Sequence, residues 1–94
     1  MVILGIDPGL AHTGWGIIET RGATCRTRAY GCIASDTSLD LARRLGRIYD
    51  EVSRVIVAYA PSELAIEKVF FGENTRSAIA TAHARGAAIV ACAE

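Results

Sequence analysis

Lysine is almost missing from this chain of 94 residues: Lys68 is the only one, and the other basic residues are arginine. Basic and acidic side chains balance, so the formal net charge is zero and no global field draws the molecule to nucleic acid or a membrane. A local patch stays open, and arginine suits it, because its fork of N–H donors matches phosphate. Cysteine is scarce. Cys25, Cys32 and Cys92 are odd in number and lack C-x-x-C spacing, which argues against a disulfide framework or a metal knuckle and leaves reduced packing residues as the expectation. The apolar stretch 86–93 is too short to span a bilayer. No basic segment precedes the first apolar run, so a secretory signal is excluded and a cytoplasmic protein is expected. Linker-like and low-complexity stretches are missing too, and the length admits one domain with a modest core.

What is present reads as alternating elements. Residues 1–7 (MVILGID) form an apolar run closed by Pro8-Gly9, with proline and glycine at the second and third turn positions. Residues 14–20 (GWGIIET) and 26–34 (RTRAYGCIA) follow after short loops, and three strands so joined predict an antiparallel meander. A helix comes next, with Leu39, Ala42, Leu45, Tyr49, Val52, Ile56 and Tyr59 on its inner face. Thr37 and Asp40 resemble a capping box, Asp40–Arg44 and Asp50–Arg54 have the spacing of helical ion pairs, and Pro61 stops the helix. Residues 63–71 (ELAIEKVFF) are strand-like, broken by charge at Glu67-Lys68, and Asn74 is placed to cap a second helix over 75–94. In that helix Ala78, Ala82, Gly86 and Val90 make a smooth stripe, read as core packing or, more sharply, as a subunit interface. The helix reaches Glu94 without a cap, so the chain is expected to be truncated. The order predicts an α/β mixed sheet: three antiparallel strands, then helix–strand–helix, a crossover that allows the fourth strand to lie parallel to the first.

Two acids stand out. Asp7 ends the opening strand on the face of Ile3 and Gly5, where it either caps the turn or faces a cation. Glu67 ends the run LAIE, and taken alone a salt bridge to Lys68 or an arginine explains it. If the two strands are parallel neighbours, both carboxylates emerge at one sheet edge, where ligands of such sheets bind. That pairing makes a hard-cation site for Mg²⁺ or Mn²⁺. Phe70 and Phe71 follow at a strand-to-loop transition, where one ring packs and the other can wedge at a distorted DNA site. Arg76 opens the second helix, where backbone N–H groups favour phosphate. Arg85 is left between a DNA contact and a solvated side chain; His12 and His83 are read as structural or surface residues.

The blocks ILGIDPGLAHTGWGII, AIEKVFFGENTRSA and ARGAA, in this order and spacing, resemble RuvC-type Holliday junction resolvases. The resemblance covers nearly the whole chain. It implies a ribonuclease H-like fold, of whose single nuclease domain residues 1–94 are the N-terminal part, ending before the final strand and helix. It also implies a homodimer that cuts four-way DNA junctions with Mg²⁺, works with a branch-migration helicase complex, and uses Asp7 and Glu67 as catalytic metal ligands. Phe70 corresponds to the aromatic residue near the junction centre; Phe71 and Arg76 stay as DNA contacts read from their positions alone. The family's remaining acids lie in a C-terminal segment that this sequence does not contain, so catalysis by this piece alone is expected to be incomplete. Asp36 and Asp40 lie too early to replace them. Three other readings compete: a phosphate-binding subdomain of an actin-like or sugar-kinase-like ATPase, a ribosomal-RNA-processing nuclease of the same fold, and a non-catalytic junction-binding or dimerisation module.

Overall fold

The computed structural model describes residues 1–68 and 75–93. Strand β1 (Val2–Asp7) pairs antiparallel with β2 (His12–Arg21), and β2 with β3 (Thr24–Ala34), giving the expected meander. Helix α1 (Leu41–Tyr59) carries the chain back to β4 (Glu63–Ile66), which lies parallel to β1. Helix α2 (Thr75–Ala93) completes the described fold, and the sheet order is β3-β2-β1-β4.

One face of the sheet is covered. Leu4, Ile6, Ile17 and Ile33 point from the strands into a core completed by Ile48, Val52 and Val55 of α1 and by Ala84, Ala88 and Ala91 of α2. Alternation along β1 sends Gly5 and Asp7 to the opposite face. Where Ile17 pairs with Ala29 and Ile18 with Thr27, Arg28 is the extra residue of a bulge. Its guanidinium reaches Glu19 at 2.6 Å, which with Arg21 holds that carboxyl below the ordinary carboxylate range.

Several local expectations are corrected. Helix α1 starts after Leu39, and Ala42 is exposed, because the buried face centres on Ile48, Val52 and Val55. Its N-cap is Asp40, whose side chain accepts from the Arg43 N–H at 2.9 Å, so Thr37 does not begin a capping box. The helical ion pairs run through Glu51, which meets Arg47 and Arg54, and not through Asp40–Arg44 or Asp50–Arg54. Asp40→Ala is therefore expected to cost about 1 kcal/mol in urea denaturation, whereas Thr37→Ala leaves the transition unmoved.

The small-residue stripe of α2 is not the core stripe. Ala78 is buried, but Ala82 and Gly86 are exposed and Val90 is 52% exposed. They line an open groove between the helices with Leu45, Gly46 and Tyr49. Of the cysteines, Cys25 and Cys32 are exposed and not packed, and all three are free thiols. Gly9 does not take a positive φ. Glycine is required there because a Cβ would stand 2.4 Å from the His12 carbonyl oxygen. The predicted strand 63–71 ends at Ile66, and Asn74 lies outside the described residues. No helix among the described residues is long and apolar enough to cross a membrane.

Candidate active site

The site is built where β1 and β4 end together. The register pairs Ile6 with Ile66, and Glu67 extends the ladder by donating its N–H to the Ile6 carbonyl at 3.2 Å. Asp7 and Glu67 are thus level with each other on adjacent parallel strands. Both are exposed, and their carboxyl groups lie close enough for Asp7 to act directly on Glu67.

The neighbouring Asp7 carboxyl, first by its hydrogen-bonding reach and then by its charge, and after it slight desolvation push Glu67 above the ordinary carboxylate range. The lone salt-bridge explanation for Glu67 finds no support, since among the described residues it makes no ion pair and the group that acts on it is another acid. Like charges at contact call for a cation or a shared proton, and a hard divalent ion fits an all-oxygen donor pair. Among the described residues no third His, Cys, Asp or Glu joins them. Two carboxylates alone would supply only part of the oxygen donors that such an ion takes.

The surroundings are open and shaped by glycine. Asp7 faces Gly14 across β1 and β2, and Gly5 faces Gly16. With Ala65 on the far side they floor a cleft of about 560 Å³ that ends at Asp7 and Glu67. Side chains on that floor would fill the space in which a backbone phosphate could approach the carboxylates.

The loop after Asp7 is bolted from behind. Thr13 is fully buried, donates its hydroxyl to the Gly9 carbonyl at 2.7 Å and accepts from the Gly9 N–H at 3.3 Å. Ser35 donates to the Leu10 carbonyl at 2.6 Å and is itself held by Arg44 Nε at 3.0 Å. Sequence reasoning passed over Thr13 and Ser35, although a hydroxyl four residues beyond a loop glycine is a usable signal.

Of the remaining candidates, Arg76 is exposed on the first turn of α2. Phe70 and Phe71 lie outside the described residues. Asp36 and Asp40 serve local structure: Asp36 accepts from the Ser38 N–H at 2.9 Å and Asp40 caps α1. His12 is exposed with Nδ1 3.8 Å from the Cys32 sulfur, and His83 is exposed on the helical groove. Arg85 is half-buried, and its Nε donates to the main-chain carbonyl of Glu67 at 3.0 Å.

Comparison with known proteins gives one answer. The family model "Crossover junction endodeoxyribonuclease RuvC" matches residues 3–94. A protein of that name from Idiomarina loihiensis is 48% identical over 99 residues, covering 99% of this chain and 56% of its own. Another, from Alkaliphilus oremlandii, is 43% identical over 93 residues, covering 99% and 57%. Among solved structures, T. thermophilus RuvC in complex with a Holliday junction substrate superposes with a TM-score of 0.91 at 32% identity, covering 98% of this chain and 56% of that one. The chain thus spans about half the length of the curated relatives it matches.

Proposed function

The chain belongs to the RuvC family of crossover junction endodeoxyribonucleases, and on that premise we propose that it serves a metal-dependent endonuclease that resolves four-way DNA junctions. The observation that carries this reading is the Asp7–Glu67 pair, two acids level on adjacent parallel strands at the mouth of a bare cleft. The T. thermophilus relative, described in complex with a Holliday junction substrate, supports the choice of DNA. Family membership across residues 3–94 sets aside the ATPase and ribosomal-RNA readings.

Asp7 and Glu67 are the residues that would hold Mg²⁺ or Mn²⁺, together with donors beyond the described pair. When bound, such an ion activates water and steadies the charge of an in-line phosphodiester displacement. The chain's own residues do the rest. β1 and β4 aim both carboxylates into one cleft, and the glycine floor admits a phosphate close to the sheet. Thr13 and Ser35 hold the loop that follows Asp7. Arg76, on the first turn of α2, is placed to meet a DNA phosphate, and Phe70 and Phe71 are assigned to the junction itself. The protein works in the cytoplasm as a homodimer, alongside a branch-migration helicase complex. Support for pairing comes from the uncovered small-residue groove of Ala82, Gly86 and Val90 between α1 and α2.

The test incubates the intact protein with a labelled four-way junction and a linear duplex, in Mg²⁺ and in chelator. Paired nicks in the junction alone, and only with Mg²⁺, are expected. Equal cutting of the duplex, or cutting that survives the chelator, would sink the proposal.

A further inference from the structure

Strand β1 ends on Asp7 and is followed at once by Pro8, which has no backbone N–H. In a parallel ladder, a residue that donates to the carbonyl just before its partner offers its own carbonyl to the N–H just after that partner. Glu67 stands opposite Asp7 by one further step of the register that pairs Ile66 with Ile6, and it donates to the Ile6 carbonyl. Its carbonyl is therefore due the N–H of residue 8, and proline cannot give it. The acceptor is satisfied from elsewhere: Arg85 Nε reaches it from α2 at 3.0 Å.

We propose that Arg85 is a positioning residue for Glu67, supplying from α2 the hydrogen bond that Pro8 cannot supply from β1. The Glu67 peptide is then held at both ends, its N–H by Ile6 and its carbonyl by Arg85. With the peptide fixed, the carboxylate projects from a defined point toward Asp7. Pro8 ends the ladder immediately after one acid, and Arg85 closes it immediately after the other. The bond acts on the backbone, so its effect runs through geometry and not through the charge of the guanidinium. The role rests on the reading of Asp7 and Glu67 as cation ligands. It is distinct from a phosphate contact, for which the bond to Glu67 would be incidental.

The test compares the intact parent protein with Arg85→Ala, Pro8→Ala and the double variant. Amide exchange at Glu67 reads the clamp, Mn²⁺ affinity by electron paramagnetic resonance without DNA reads its consequence, and junction binding in chelator reads phosphate contact. Arg85→Ala is expected to speed Glu67 exchange and to weaken Mn²⁺ binding by about 10-fold or more, the usual loss when a residue supporting a metal ligand is removed. Junction binding in chelator stays at the parental level. In the double variant the new N–H at position 8 takes the Glu67 carbonyl, so exchange and Mn²⁺ affinity return toward the parent. The proposal is overturned by unchanged exchange and affinity in Arg85→Ala, by a double variant no better than the single, or by a loss confined to junction binding. A parent that binds no Mn²⁺ overturns the cation reading and this role with it, a result separable from failure of the clamp alone.

Discussion

Asp7→Asn in the intact protein is expected to abolish metal-dependent cutting while junction binding in chelator survives. The substitution keeps size and shape and removes one charge from the donor pair. Losses of about 10–100-fold follow when residues merely supporting a ligand are changed. A direct ligand should therefore cost more than about a hundredfold in rate. A second signature accompanies it. The Asp7 carboxyl is what raises Glu67 above its ordinary value of 4.5. A raised folded-state value means a contribution to stability that is complete below pH 4.5 and lost as pH rises through the folded-state value. Asp7→Asn removes that loss, so in chelator near neutral pH the variant should melt no lower than the parent. Denaturation in chelator across pH, beside a nicking assay, checks both. Cutting that persists in Mg²⁺ would remove Asp7 from the mechanism.

Ile48→Ala should be the most damaging of the simple core truncations in α1. Ile48 has no exposed surface and sits between the helix and the inner sheet residues Leu4, Ile6, Ile17 and Ile33. Deleting its outer carbons leaves a cavity that rigid strands close poorly, a change that costs about 2–5 kcal/mol. Small domains have only about 5–15 kcal/mol in total, so a large share of the stability goes. Val57 on the same helix is 84% exposed, and Val57→Ala should stay within about 0.5 kcal/mol. Equal urea midpoints for the two variants would mean that α1 does not pack on the sheet by this face.

The placement of the two candidate acids was legible because its signals are local and follow the element order. Asp7 and Glu67 each end an apolar run, an intervening helix allows those strands to lie parallel, and their pairing in the sheet brings the two acids to one edge. Cap and ion-pair details were less legible. Thr37 and Asp40 both suit a helix start, and only the path of the chain out of β3 decides which one sits at the first turn. Similarly, Asp50 and Glu51 are neighbours, and the rotation of α1 on the sheet gives Arg47 and Arg54 to Glu51.

The two helices mark the boundary between what the sequence settles and what the tertiary structure settles. In α1, apolar and charged residues separate onto opposite faces, so the sequence alone determined that a helix forms here and which side turns inward, to within one residue's rotation. In α2, small and apolar residues occur all round, so helix formation is determined but the buried face is not. Only packing against α1 and the sheet chose Ala84, Ala88 and Ala91 and left Ala82, Gly86 and Val90 uncovered. That same rotation delivers Arg85 to the carbonyl of Glu67. No spacing in the sequence encodes that contact, because a bond across 18 residues depends on how the helix is seated against the strand and not on either segment by itself.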